Sequence, residues 1–290
     1  MLTFEFPAIY KAASRLSEKS QNKYLAVICS EYVLLILVSI LSLDILRSRA
    51  AVVCYLVIFI ALLALLLWRG QSKPEQQWYK GRALAESVKT SSWRYCMSAE
   101  PFGLADSEIQ RRAEFRNYLT EILRANQHIG EHLPAESADD AQVTETMEAV
   151  RKLQLDEKKE YYDVNRIREQ RAWYARKAGF NKRISRLWIG AGAIVYIIAA
   201  LVAVKNVSSY PESYWPTDPL IVIAASIIGW TQIKKFNELA SSYTLTAHEI
   251  GILQAKIGDI KSADDFASFV NEAEQAFSRE HTQWVARQQN

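Results

Sequence analysis

The chain has 290 residues, half of them apolar, with a formal net charge of +3 and a mean hydropathy of −0.09. So small a charge does not favour a nucleic-acid-binding protein, and no nucleic-acid partner is expected. Three scattered cysteines give no disulfide framework. The average hydropathy conceals a few long apolar blocks separated by strongly charged stretches, which indicates an all-α membrane protein rather than a soluble one.

The first two apolar blocks predict a pair of membrane-spanning helices. Residues 25–43 contain one charge, Glu31, and residues 51–68 contain none. About 20 residues at 1.5 Å each cross the ~30 Å hydrocarbon layer, so both blocks are long enough with their flanks. The link at 44–50 is so short that the two helices must run antiparallel, as a hairpin.

A second, weaker pair of spans is predicted at residues 188–204 and 219–233. Asp218 is expected to cap the fourth helix, with Pro219 in its first turn, where a missing N–H costs nothing. The alternative is a buried helical hairpin of a soluble domain. Trp188 and Trp215 lie at opposite ends of the pair, as aromatic residues do at membrane interfaces, and they favour the membrane.

Basic residues near the ends of the spans predict the topology. The side that carries both termini and the central region holds 16 of them: Lys11, Arg15, Lys19, Lys23, Arg69, Lys73, Lys80, Arg82, Arg171, Arg176, Lys177, Lys182, Arg183, Arg186, Lys234 and Lys235. The hairpin tips hold three, which are Arg47, Arg49 and Lys205. Both termini and residues 69–187 are therefore predicted to be cytoplasmic.

The polar remainder is rich in strong helix formers and predicts long cytoplasmic helices that form a bundle. Helices are expected at about 74–99, 106–127 and 143–187, from the fourth span to about 257, and from Ser262 to about 288. Ser262 and Asp265 have the spacing of a capping box. We expect a first two-span unit at 1–130, an acidic linker without a packing pattern at 131–150, and a second two-span unit at 151–290.

One face of the helix after the first hairpin carries two tryptophans and three charges. Trp78, Arg82, Glu86, Lys89 and Trp93 are spaced so that they fall within about 80° of one another on a helical wheel. A surface helix seldom places tryptophans at both ends of a charged stripe. This stripe is therefore predicted to be an interface with another helix or subunit, and the alternative is a solvated face.

Two further sets of residues are candidates for a membrane function. Glu31 leans to the same face of the first span as Ser39 and Ser42, and intramembrane carboxylates usually face a bundle interior or water. These three residues are candidates for lining a pore, although Glu31 is close enough to Lys23 to lie near the interface. Basic residues that precede the third span are expected to contact anionic lipid: Arg176, Lys177, Lys182, Arg183 and Arg186.

The sequence shows no motif of an enzyme. It contains no HExxH, no GxSxG, no Gly-rich phosphate loop and no paired cysteine motif. No catalytic residue, metal site or cofactor is therefore expected.

The stripe helix also carries a family resemblance. RALAESVKT at 82–90, then Trp93-Arg94-Tyr95 and Pro101-Phe102 after a two-span hairpin, resembles the SLATT family of SMODS- and SLOG-associating two-transmembrane effector domains. RAWYARKAGFN at 171–181, followed by a hairpin that ends in Trp230, resembles another branch of the family, so the chain looks like a tandem.

The resemblance implies a bacterial inner-membrane effector of antiviral defence. Such an effector would form a homo-oligomeric pore when a nucleotide second messenger or a nucleotide-sensing partner protein activates it, and it would arrest or kill the cell. One alternative is a membrane-anchored helical interaction module without conductance. A small transporter is disfavoured, because the spans have few mid-span breaks and two hairpins of the same orientation.

Overall fold

A computed structural model describes residues 3–43, 48–103, 107–130, 132–133, 141–209 and 215–289. Helices account for nearly all of this part of the chain, and no strand occurs in it. The α-helices are α1 Ala8–Leu41, α2 Arg49–Ser72, α3 Pro74–Cys96, α4 Glu108–Ala125, α5 Gln127–Gly130, α6 Glu145–Arg151, α7 Leu155–Tyr162, α8 Glu169–Ser209, α9 Asp218–Lys234, α10 Phe236–Lys256 and α11 Ala263–Gln289. A π-helical segment, Asp163–Arg168, joins α7 to α8, and a 3₁₀ turn, Ile257–Asp259, follows α10.

The described residues divide into two compact units, neither of them continuous in sequence. The polar unit draws on Met1–Gln21, Pro74–Ala175 and Thr244–Asn290. The apolar unit draws on Asn22–Lys73 and Arg176–Tyr243. Both therefore combine residues from the two halves of the chain.

The polar unit is built around α3. This helix packs against α11, α6, α4 and α5, because both of its faces carry residues that avoid water. Trp93 and Tyr95 in its last turns are almost completely buried, together with Phe115 of α4 and Phe266 of α11. Aromatic side chains of this size dominate the energetics of a core.

Part of the expected acidic linker belongs to this core. Met147 and Val150 of α6 are fully buried, and the α6 N-cap Thr144 donates from its hydroxyl to the backbone oxygen of Glu5 at 2.8 Å. The prediction of a linker without packing over 131–150 thus differs from the structure in its last part. Two apolar positions in a seven-residue helix are too short a pattern to stand out among acidic neighbours. Residues 131 and 134–140 lie outside the described part.

Several predicted helix limits shift. The expected helix from Val143 to Leu187 is interrupted at residues 152–154 and again by the π-helical segment. Asp218 is not a cap but the first residue of α9, and its neighbour Thr217 takes the capping position without a side-chain bond. The Ser262 hydroxyl does accept the Asp265 backbone N–H at 3.1 Å, as the spacing predicts.

Among the described residues, three stretches are long and apolar enough to cross a membrane: Ala8–Leu41, Arg49–Cys96 and Leu155–Ser209. Their most apolar windows are largely exposed, and α2 has no buried residue. With 17 residues, α9 is shorter than these. A lysine in the left-handed region ends both α2 (Lys73, φ 41°) and α9 (Lys235, φ 47°), and another helix begins at the next residue in each case.

Candidate functional site

In the apolar unit, the only carboxylate of the first apolar block is paired. Arg69 at the end of α2 donates from Nη1 to Glu31 Oε2 at 2.8 Å, and the Glu31 side chain is 16% exposed. The other oxygen, Oε1, is buried and has no hydrogen-bond partner among the described residues. A signal for this pair exists in the sequence, because antiparallel spans bring the end of the second close to the start of the first. Arg69 was predicted only to mark the topology, and its pairing with Glu31 was not predicted.

The two serines that were grouped with Glu31 are bonded within their own helix. Ser39 Oγ donates to the Ile36 oxygen at 2.7 Å, and Ser42 Oγ donates to the Ser39 oxygen at 2.9 Å. Hydroxyls of this kind commonly bond to the preceding turn and leave little polarity for other partners. Ser39 is also buried. On this face, Glu31 is therefore the polar residue that keeps a side-chain oxygen, Oε1, without a hydrogen-bond partner among the described residues.

Helix α1 also meets α9 within the apolar unit. The Tyr32 hydroxyl lies so close to Gly229 that a Cβ at that position would be only 2.3 Å from it. Glycine is needed here for close approach rather than for an unusual φ. The first and second apolar pairs are therefore in direct contact beside the Glu31–Arg69 pair.

In the polar unit, the tryptophan stripe on α3 points into its own chain. Trp93 is 2% exposed and stacks on Phe4 with ring centroids 4.4 Å apart and planes 11° apart. At the other end, the Trp78 backbone oxygen accepts the Ser17 hydroxyl at 3.2 Å. Helix α1 can approach there because a Cβ on Gly81 would already be tight against the Ser17 backbone.

The charged members of the stripe are half-buried between these tryptophans. Burial lowers the pKa of the Lys89 ammonium, and the nearby Arg166 guanidinium lowers it further, while the Glu86 carboxylate acts in the opposite direction. Arg82 and Glu86 both interact with other groups of the protein. A solvated face does not describe this arrangement, because each end of the stripe is buried by another segment of the same chain.

A cavity of about 420 Å³ opens beside Trp93 and Lys89. Its lining combines aromatic side chains with polar and charged ones: Thr3, Phe4, Phe6, Tyr10, Lys89, Trp93, Asn165, Arg166, Glu169 and Gln170. This size and mixture are typical of a small-molecule site. The Trp93 end of the stripe therefore borders a space of small-ligand size.

A buried ion pair under this cavity was not predicted. Arg166 Nε and Nη2 donate to Glu274 Oε1 and Oε2 at 2.8 and 2.6 Å, and Tyr162 Oη donates to Oε1 at 2.9 Å. Burial alone would lower the pKa of Arg166, but the Glu274 carboxylate outweighs it and holds the pKa above its ordinary value. Arg166 begins a run of exposed cations in the sequence, and nothing there distinguished it as the buried one.

A second buried arginine fastens α6 to the end of α3. Arg151 donates to the backbone oxygens of Tyr95, Phe102 and Gly103, the last two at 3.0 and 2.9 Å, and its guanidinium lies over the Tyr95 ring. Tyr95 in turn donates its hydroxyl to the Glu148 carboxylate. These contacts hold the backbone in place where α3 ends, close to the helix break that the sequence predicts at Pro101.

In the apolar unit, the basic residues that precede the third apolar block lie on the surface of α8. Arg176, Lys177, Lys182, Arg183 and Arg186 are exposed. The residues that alternate with them, Ala178, Asn181 and Ser185, are buried. The five basic side chains are thus accessible to a charged surface, as contact with lipid headgroups requires.

Among the described residues, no cluster of His, Cys, Asp and Glu could hold a metal ion. Comparison with family models gives two matches in tandem. SMODS and SLOG-associating 2TM effector domain 3 matches residues 7–159, and SMODS and SLOG-associating 2TM effector domain 1 matches residues 162–284. Comparisons with curated proteins and with solved structures gave no match.

Proposed function

Because this chain belongs to the SLATT family of two-transmembrane effector domains, as a tandem of two, we propose that it is a pore-forming membrane effector. It would act in a bacterial antiviral defence system as a homo-oligomer in the inner membrane. A nucleotide signal or a partner sensor would activate it, and conduction would arrest or kill the cell. We assign it no enzymatic activity.

The observation that carries this proposal is the exposed apolar surface of the apolar unit. Leu56, Ile60 and Leu63 on α2 are 56–59% exposed, and Ile197 and Leu201 on α8 are 60% and 65% exposed. Exposed apolar side chains in such number mark a membrane or protein interface, because leaving apolar surface in water costs about 25 cal/mol per Å². We propose that lipid and neighbouring protomers cover it.

We propose four spans in two hairpins, with both termini and the polar unit on the cytoplasmic side. The fourth span is α9, whose 17 residues measure about 26 Å at 1.5 Å per residue. Local thinning of the bilayer and snorkelling of Lys234 and Lys235 would make up the difference. The distribution of basic residues supports this orientation.

Conduction would require several protomers. Four packed spans satisfy one another's polar groups and leave little room for a water-filled lumen, so the lumen must form between copies. We place the Glu31 face of α1 towards it. A ring of carboxylates favours cations, and the contact with Arg69 would reduce that preference by neutralising each carboxylate.

The second candidate function is a membrane-anchored sensor module without conductance. The 420 Å³ cavity beside Trp93 favours it, since a ligand there would alter the polar unit whether or not the spans conduct. In this alternative the spans serve only as an anchor. Conductance separates the two candidates.

The test uses the purified full chain in planar bilayers under asymmetric KCl, with and without the nucleotides and partner proteins found to activate it. The chain should conduct with a cation preference. Glu31→Gln should weaken that preference and Arg69→Gln should strengthen it, while Glu121→Gln on the exposed surface of α4 should change neither. Unchanged selectivity in Glu31→Gln would refute the pore-lining assignment. No current under any condition would favour the sensor module.

A further inference from the structure

Within the apolar unit, a groove of about 480 Å³ runs along α8, α9 and the start of α10. Ile189 and Tyr196 of α8 and Ile228 of α9 form its apolar part, and all three are about half exposed or more. Gln232, Lys235 and Glu238 form its polar end. The volume lies within the range of sites that take small organic ligands.

The order of these residues along the helices gives the groove a polarity gradient. Ile189 lies at the start of the third apolar block, Tyr196 lies at its middle, and Ile228 lies in the second half of the fourth block. The apolar part of the groove therefore runs from one end of this antiparallel pair to about its middle. Lys235 and Glu238 follow the end of α9 directly. A ligand that matches this gradient has an apolar tail and a polar head, as a phospholipid has.

The polar end also selects a head group. It offers one cation, Lys235, and one anion, Glu238, rather than the run of cations on the exposed surface of α8. An ammonium attracts a phosphate, and a carboxylate attracts a primary ammonium as a charge-assisted hydrogen-bond acceptor. The pair together fits a head group that carries both charges.

We infer that this groove is a binding site for a single aminophospholipid, with its phosphate at Lys235, its ammonium at Glu238 and an acyl chain along Ile189, Tyr196 and Ile228. The inference rests on the proposed membrane location of the apolar unit. It adds a specific site to the non-specific attraction of anionic lipid by the basic surface of α8. Hydroxyl and amide groups of Thr231 and Gln232 complete the polar end.

The test measures lipids retained by the full chain, by native mass spectrometry after extraction from vesicles of phosphatidylethanolamine, phosphatidylcholine and phosphatidylglycerol in equal parts. We expect phosphatidylethanolamine to be enriched several-fold at about one per protomer. Gly192→Leu, which would fill the groove beside Ile227, should abolish retention. Lys235→Gln should reduce retention of all three lipids about tenfold, and Glu238→Gln should remove the preference for phosphatidylethanolamine over phosphatidylcholine.

Lys261→Gln, at an exposed position of the polar unit outside the basic surface of α8, is the matched control and should keep the retained lipid unchanged. Equal retention of the three lipids by the wild-type chain would overturn the inference, as would groove variants that change the oligomer mass and leave the lipid in place. The latter result would assign the groove to a second copy of the chain. Flotation with vesicles, measured on the same variants, reports the membrane location separately, so a failed groove does not count against the proposed function.

Discussion

Arg166 and Glu274 form a two-pronged ion pair across 108 residues of sequence, and their side chains are 2% and 0% exposed. The guanidinium also lies 4.8 Å from the ring centre of Phe277. An ion pair this deeply buried is not in itself strongly stabilising, because both charges lose their water. Removing either partner, however, would leave the charge of the other buried without a counter-charge, which is strongly destabilising.

The first prediction concerns this dependence. Glu274→Gln should lower the free energy of unfolding by about 3–5 kcal/mol, because the Arg166 charge would remain buried without its counter-charge. The double variant Arg166→Met, Glu274→Leu should lose less than Glu274→Gln alone. Thermal and denaturant unfolding of the full chain in detergent measure both.

Glu272 supplies the control on the same helix. It pairs with Lys256 at 3.0 Å, and both side chains are about half exposed. Glu272→Gln should cost at most about 1 kcal/mol, as exposed pairs do. An equal loss in Glu272→Gln and Glu274→Gln would contradict the distinction between the two pairs.

The second prediction concerns the tryptophan stripe. Glu86→Ala should destabilise the chain by more than the 0.3–0.5 kcal/mol typical of exposed helical pairs, because Lys89 loses a carboxylate that favours its charged form. Oligomerisation and activity should fall with it, and Trp93→Ala should be more severe, at about 3–5 kcal/mol. Unfolding and size-exclusion profiles measure these effects. Full assembly and activity in both variants would show that the stripe is only a solvated face and not an interface.

The third prediction tests the contact between the two apolar pairs. Gly229→Ala should disrupt the packing of α1 on α9, since the new Cβ would overlap the Tyr32 hydroxyl. Tyr32→Leu should rescue it by removing that hydroxyl. Gly190→Ala, where no atom lies within 4 Å of the new Cβ, should be neutral or slightly stabilising. Thermal unfolding in detergent compares the three, and equal stability of Gly190→Ala and Gly229→Ala would contradict the close approach.

The fourth prediction concerns alkaline pH. Burial and the Glu274 carboxylate raise the pKa of Tyr162 well above its ordinary value of about 10. Above pH 10 the unfolded chain would release this proton while the folded chain keeps it, so stability should fall as the pH rises. Below pH 10 the group is protonated in both states and contributes no slope.

Tyr162→Phe isolates this contribution. The variant should be less stable at neutral pH, because the hydrogen bond to Glu274 is lost, but it should lose less stability between pH 10 and pH 11 than the wild-type chain. Denaturant titrations at fixed pH values measure the slope. Parallel pH dependence in the two proteins would show that Tyr162 does not titrate differently on folding.

The fifth prediction concerns orientation. In a background with Cys29, Cys54 and Cys96 replaced by alanine, a cysteine introduced by Glu121→Cys should resist an impermeant thiol reagent in intact cells and react after lysis. One introduced by Val207→Cys should react in intact cells. Both positions are exposed, so the side of the membrane on which each cysteine lies, rather than its burial, determines whether it reacts with the reagent. Ready labelling of Glu121→Cys in intact cells would overturn the proposed topology.

Sequence patterns predicted the helices well because each long helix has a clear composition. The apolar block at 51–68 lies within α2 and the block at 188–204 lies within α8, and Pro74 and Ser262 marked helix starts. The family resemblance on residues 82–102 and 171–181 is confirmed by the two tandem matches. These features are local in the sequence, so they can be recognised without knowing which distant residues are in contact.

The pairing of distant residues could not be predicted in the same way. Glu31 was singled out by its isolation in an apolar block, yet its partner Arg69 was one of many basic residues near a span end. Arg166 and Glu274 have no distinguishing neighbours, since burial of a charge depends on segments that fold onto it from elsewhere. The stripe on α3 signalled that something covers it, but the sequence did not reveal that Phe4 and Ser17 belong to the covering segment.

The discontinuous make-up of the polar unit has a consequence for synthesis. Its first residues leave the ribosome long before α11, which supplies Glu274 and Phe266, and at 5–20 residues per second the delay is on the order of 10–60 s. Until α11 arrives, Arg166 lacks its counter-charge and the core of the unit is incomplete. A prematurely terminated chain would therefore carry its apolar helices without a complete polar unit. Because that unit would be incompletely folded, quality-control proteases would degrade the chain readily.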